Sequence, residues 1–474
     1  MQKIARAVRR VARSTSAVAS VPLLVPLAIV GVVLFRMEGV SSQVQRRVTR
    51  AQDPGVRAGA VGAGAPIAGL TAREQDYFLA GKGEFEEAEE VDEGLGPRLN
   101  LDSCLGCHSQ PATGGTSPSV NPQVAFATKN GGTDVLPSFI TANGPAREAR
   151  FVLNRDGTAD GGVHALFTIT GRVGSGRCSL PQPDFERQVA NRNVIFRIPT
   201  PTFGLGLVEQ IPDSAITAGI SDNGPTKSAL GIRGRANFAV AGRTVSGQTN
   251  NNGNDGTVAR FGWKAQNKSL LLFAGEAYNV EMGISNELFP TERDETPNCL
   301  LATHPNSITN PEATTTLESV SPIEKFAFFM RLLAPPTPSR DTPGGAPSIA
   351  NGKSLFSAVG CTLCHAPSFT TGNSAITALR YKPVNLYSDL LLHDMGGLAD
   401  GISQGQAGPS EFRTAPLWGL GQRIFFLHDG RTSDLVAAIR AHQSTRSEAN
   451  AVIDGFQALS EDQKQDLLNF LRSL

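Results

Sequence analysis

The sequence predicts a mainly α protein in which one module is used twice, and three observations predict it. The pattern C-x-x-C-H occurs at Cys104–His108 and again at Cys361–His365. Each half closes on an amphipathic helix with a capping-box start. Ser321-Pro-Ile-Glu324 precedes Phe326, Phe329, Met330 and Leu333, and Ser460-Glu-Asp-Gln463 precedes Leu467, Leu468, Phe470, Leu471 and Leu474. Between the halves, residues 335–346 are dense in Pro and Gly and read as a linker.

Taken in order, residues 1–40 form a targeting segment. A basic start (Lys3, Arg6, Arg9, Arg10, Arg13) precedes an uncharged run from Ala17 to Phe35. That run is longer than a secretory apolar region and close to the ~20 residues of a spanning helix. It reads as an uncleaved signal-anchor, with a cleaved signal peptide as the alternative; either exports the body. Residues 41–66 are small and without hydrophobic period, and read as a flexible tether. Order is expected to begin at the T-x-x-E box Thr71–Glu74, opening a first module over 67–334, with the second over 347–474. The first module carries a long loop- and β-rich insertion, with strand-prone runs at Val163–Ile169 and Val194–Ile198.

Composition agrees and excludes. Forty per cent hydrophobic residues suffice for a core, and 50 Gly with 30 Pro among 474 residues favour many loops. With 43 basic and 43 acidic residues the net charge is zero, so an electrostatic nucleic-acid binder, which needs a basic face, is not expected.

C-x-x-C-H is the attachment motif of covalent c-type haem. Two thiols separated by two residues reach the two vinyl groups of one porphyrin, and the following imidazole becomes an axial ligand of the iron. A redox dithiol or a zinc site is the competing reading. A dithiol does not explain a histidine after both motifs, and zinc would want the motifs closer together. Two c-type haems are therefore expected, on Cys104, Cys107 and His108 and on Cys361, Cys364 and His365. Cys178 and Cys299 are left over; in an oxidising compartment they are candidates for a disulfide. Of the remaining histidines (His164, His304, His393, His428, His442), His442 is the first candidate for a sixth iron ligand, because it ends the amphipathic stretch 435–442.

The segments Phe412-Arg-Thr-Ala-Pro-Leu-Trp-Gly-Leu420 and Phe425-Phe-Leu-His-Asp-Gly-Arg431 resemble the signature of bacterial di-haem cytochrome c peroxidases. They resemble still more closely the di-haem oxidoreductases sometimes labelled thiol oxidoreductases, in a superfamily that includes the methylamine dehydrogenase di-haem maturase. The resemblance runs from about residue 70 to the end. It includes Arg197-Ile-Pro-Thr-Pro-Thr-Phe-Gly-Leu-Gly-Leu207, Arg260-Phe-Gly-Trp-Lys-Ala265 and Asn279-Val-Glu-Met-Gly283.

The resemblance implies two cytochrome-c-like domains and a periplasmic peroxidase. Hydrogen peroxide would be reduced at the first haem, with electrons relayed from the second. It puts His442 where peroxidases carry the methionine ligand of the second haem, Trp263 between the haems, and Glu281 on the distal carboxylate beside the first. A core aromatic and a surface carboxylate are the plain alternatives for those two residues. Peroxidases also carry a distal histidine soon after the first motif. Residues 120–140 contain none, so His164 is the candidate to replace it, unless the iron is open. Met395 is a weaker alternative ligand for the second iron, and His428 is expected near the propionates. The family's inter-domain calcium, a soluble cytochrome or cupredoxin as electron donor, and a homodimer complete the implied partners. An electron carrier without substrate and a maturase-like oxidase are the rival functions.

Overall fold

The computed structural model describes residues 49–58, 62–238, 257–303 and 305–474, with the backbone of 244–245 and 248–249. The apolar run from Ala17 to Phe35 and His304 lie outside the described residues. Among the described residues no helix is long and apolar enough to cross a membrane.

Helix α1, Ala72–Glu86, begins at the capping box read from the sequence: the Glu74 amide donates to Thr71 Oγ1, and the Thr71 amide donates to Glu74 Oε2 at 2.7 Å. The insertion supplies a three-stranded antiparallel sheet. Its middle strand β1, Glu148–Phe151, pairs with β2, Val163–His164, and with β3, Val194–Arg197, so that Glu148 stands opposite Arg197. Helix α2 follows at Leu270–Met282, and α3, Pro322–Leu332, closes the first module behind the Ser321 box. The second module opens with α4, Gly345–Ala358. A two-stranded ribbon follows, β4, Leu392–Asp394, with β5, Glu411–Arg413. Helices α5, Leu435–Ala441, and α6, Glu461–Ser473, complete the chain.

The repeat seen in the sequence is repeated in the packing. In each module the helix before the C-x-x-C-H motif lies against the terminal helix, and a glycine sets the approach. A Cβ on Gly81 of α1 would run into the Lys325 carbonyl of α3, and one on Gly352 of α4 into the Asp466 carbonyl of α6. Aromatics fill the contact beside each glycine. Phe78 and Phe85 meet Phe329, with ring centroids 5.4 and 4.9 Å apart, and Phe356 meets Phe470 at 5.5 Å. Burying such rings removes 150–250 Å² of surface each. The insertion is tied by the Cys178–Cys299 disulfide.

Two departures from the sequence reading stand out. The described residues fall in one compact unit. The larger apolar cluster runs across the 335–346 linker, joining first-module residues such as Phe329 and Leu333 to Leu386, Leu391 and Trp418. The described part of the expected tether is also docked rather than free. Ala51 is buried, the Arg57 amide donates to the Gly421 carbonyl, and Asp53 receives Arg472 Nε and Nη2, each at 2.7 Å. Composition sees only small residues there; it cannot see a buried arginine 400 positions later that needs a carboxylate.

That ion pair has a measurable consequence. Burial pushes the Asp53 carboxyl up, but the Arg472 bonds and the amides of Gly55 and Leu435 outweigh it and hold it below its ordinary 3.8. Removing one partner of a buried pair costs about 3–5 kcal/mol. Asp53→Ala is expected to lower unfolding stability at pH 7 by about that amount in denaturant titration. Because the folded-state value is depressed, the contribution is complete above 3.8 and disappears as the pH falls through the folded value.

Candidate functional site

Each motif forms one wall of a cavity. The first cavity, about 1230 Å³ including its mouth, is lined by Cys104, Cys107 and His108 on one side and by Trp263, Tyr278 and Glu281 on the other. The second, about 1410 Å³, is lined by Cys361, Cys364, His365, His428 and His442.

The imidazoles are oriented in one way throughout. His108 Nδ1 pairs with the Gly115 carbonyl at 2.8 Å, His365 Nδ1 with Tyr387 at 3.0 Å, and His442 Nδ1 with Ala438, one turn earlier, at 2.8 Å. A carbonyl can only accept, so each ring carries its proton on Nδ1 and leaves Nε2 free, the arrangement that ligating histidines adopt. Burial pushes His108 and His365 down to about 4, the nearby His442 adding to the effect at His365; burial also lowers His442. Neutral rings are what an iron requires. The cavities also contain buried cationic nitrogens in need of an anion. Arg147 Nε in the first and Arg423 Nε in the second are buried without a hydrogen-bond partner. Arg413 and Arg423 are both pulled down to about 10 by burial, and Arg413 gives its Nε only to the Gly262 carbonyl. Propionates would meet that need, so the residues present fit two haems.

Trp263 lines both cavities. Its Nε1 donates to the Ile198 carbonyl at 2.9 Å, and its ring meets His428 edge-on at 6.4 Å. His428 stacks on Phe412 with centroids 4.4 Å apart and is lowered to about 4 by burial. Glu281 lines the first cavity only. Burial raises it well above 4.5, Glu148 adds to the rise, and Asn100 Nδ2 donates to its Oε2 at 2.7 Å. Met395 lines the second cavity with His442.

His164 is not brought to either cavity. It sits on β2, with Nε2 2.9 Å from Asp160 Oδ2 and its ring stacked 3.7 Å over Phe151. The expectation that it caps the first iron is therefore corrected: a local carboxylate and an aromatic hold it on the sheet. Among the described residues His108 is the only imidazole lining the first cavity.

Three features escaped sequence reading. Glu148 hydrogen-bonds Glu281 inside the first cavity. Asp400 receives Arg197 Nη2 at 2.5 Å and Lys264 Nζ at 3.0 Å, all three almost fully buried. His393, 2% exposed in the second cavity, is held between Asp389 at 3.0 Å and Glu448 at 2.7 Å. No local pattern read from the sequence pointed to any of these pairings. Cys364, Asp389 and His393 together have metal-ligand donors, but the thiol belongs to the haem motif and both imidazole nitrogens already face carboxylates.

A paired set of cavities with pinned imidazoles and thiols defines a two-centre redox protein. The chain belongs to the family described as "Di-haem oxidoreductase, putative peroxidase", whose model matches residues 163–474. It is thus a haem-dependent oxidoreductase. No curated protein matches. A solved structure of Kuenenia stuttgartiensis hydrazine synthase under xenon pressure is 14% identical over 41% of this chain and 71% of that one, with a TM-score of 0.22. That overlap carries no argument.

Proposed function

We propose that the protein is a periplasmic di-haem c-type peroxidase, exported and held at the inner membrane by its first 40 residues. The observation that carries the reading is an asymmetry between two like cavities. Only the first has a carboxyl raised by burial and no second imidazole, only the second has two pinned imidazoles, and Trp263 lines both.

Cys104, Cys107 and His108 would hold one haem, and Cys361, Cys364 and His365, with His442, the other. When bound, the haems supply electron storage and the iron chemistry of O–O cleavage. The chain's residues do the rest. Glu281, its carboxyl raised by burial and by the neighbouring Glu148 in a site shielded from bulk water, moves a proton from the near to the far oxygen of hydrogen peroxide, the work of a general acid–base. Trp263 is the shared aromatic wall across which electrons pass toward the first cavity from a soluble cytochrome or cupredoxin that docks at the second. His442 in place of a thioether favours a lower potential at the second centre.

Three outcomes are expected. Glu281→Gln keeps both haems and their spectra but lowers peroxide turnover by about 10²-fold or more; full activity would remove Glu281 from the mechanism. His442→Met raises the potential of the second centre in a redox titration, and an unchanged spectrum and potential would assign the ligand elsewhere, Met395 first. Electron paramagnetic resonance on protein reduced by one electron per molecule shows a high-spin ferric signal, an open iron. A purely low-spin signal would make the protein an electron carrier.

A further inference from the structure

Glu281 alone is poorly equipped for the work just assigned. As a lone shuttle it must begin ionised to take the near oxygen's proton, and burial disfavours that form. The cavity holds a second carboxyl that removes the difficulty. Glu148 on β1 hydrogen-bonds Glu281 on α2, and the partners on either side fix which of them is charged. Arg150 Nε donates to Glu148 Oε1 at 2.6 Å, with the arginine side chain 4% and the glutamate side chain 13% exposed, and Arg197 stands opposite Glu148 in the sheet. Glu281 receives the neutral amide of Asn100 at 2.7 Å, with the Arg293 guanidinium facing it.

We propose that Glu148 is the proton-holding partner of Glu281, the two forming a carboxylic acid–carboxylate pair that shares one proton and lets Glu281 both accept and donate. This rests on the peroxidase reading and adds to it the residue that resets its acid. As the O–O bond breaks, Glu281 gives its proton to the far oxygen, which leaves as water, and the proton of the near oxygen returns to the pair. Glu148, held ionised by Arg150, receives it through the hydrogen bond, so the pair ends with the one proton it started with. The remaining oxygen is reduced to water by two electrons from the donor protein and two protons from solvent. Two close carboxylates cannot both ionise readily, and one of them is raised in consequence. The charged groups facing the pair are Arg150 and Arg197 from the sheet, Glu276 from α2, and Arg293. Burial lifts Glu281, and Glu148 lifts it further; at Glu148 burial is outweighed by Arg150, the hydrogen bond with Glu281 and Arg197 together, which lower it.

The test is Glu148→Gln in the haem-loaded protein. Glutamine keeps an acceptor for Arg150 but removes the charge, so Glu281 should lose its proton at lower pH. The infrared carbonyl band of the protonated carboxyl is expected to titrate at least about one pH unit lower than in the parent. The alkaline limb of peroxide turnover should move with it and the maximum fall at least about tenfold, with visible spectra and haem content unchanged. Glu281→Gln should abolish the band, and Glu148→Asp should restore most of the turnover, which a merely structural glutamate would not predict. A band and a pH limb that stay in place in an active Glu148→Gln protein overturn the pair and leave the peroxidase standing. A band that moves in a protein that does not reduce peroxide overturns the peroxidase and leaves the shared proton standing.

Discussion

The arrangement of the two cavities hangs on one buried carboxylate. Asp400 takes Arg197 from the insertion's sheet and Lys264 from the loop that carries Trp263, with side-chain exposures of 0–3%. Three charges so far from water are expensive, and several kcal/mol of desolvation must be offset by their mutual attraction and hydrogen bonds. Burial, with Arg197 adding to it, draws Lys264 down to about 8 despite Asp400. What the cluster provides is position. Lys264 is the residue after Trp263; its ammonium also donates to the Gly408 carbonyl and sits 4.2 Å over the Phe412 ring, which stacks on His428. The tryptophan is thereby held to second-module residues while Ile198 of the first anchors its ring nitrogen.

The duplication explains why the halves look alike, and their divergence explains what each can do. A glycine-set helix pair and a pinned imidazole recur in both, since each must present a thiol pair and an Nε2 to a flat macrocycle. The second cavity adds a helix end that brings in His442. In the first, the equivalent space is occupied by α2 and the insertion's sheet, which bring Glu281, Glu148 and Arg150 instead. Where the second cavity is lined by His442, the first is thus lined by a carboxyl pair, one member from the insertion's sheet and one from α2.

Much of this was legible in the sequence, for physical reasons. C-x-x-C-H is set by covalent geometry and works locally; capping boxes likewise involve residues three apart, so Thr71, Ser321 and Ser460 could be read directly. What could not be read was what the fold brings together from afar. Asp53 with Arg472, Arg197 with Asp400 and Glu148 with Glu281 are separated by 419, 203 and 133 positions, and no local pattern encodes them. His164 misled for the opposite reason. Its position after the first motif suggested a ligand, whereas its partner is Asp160, four residues away.

The same reasoning bears on why the first cavity needs the sheet at all. A carboxyl on α2 facing a lone amide would be raised by burial and would stay neutral, a donor without an acceptor. Placing a strand beside it brings Glu148 and, two residues on, Arg150 from the same edge of the same strand, since alternate residues share a face. The arginine draws the Glu148 carboxyl down, and Glu148 adds to the rise that burial gives Glu281. Two residues of extended chain therefore bias the protonation of a helix residue more than 130 positions away, on a sheet that Arg197 ties to Asp400 of the second module.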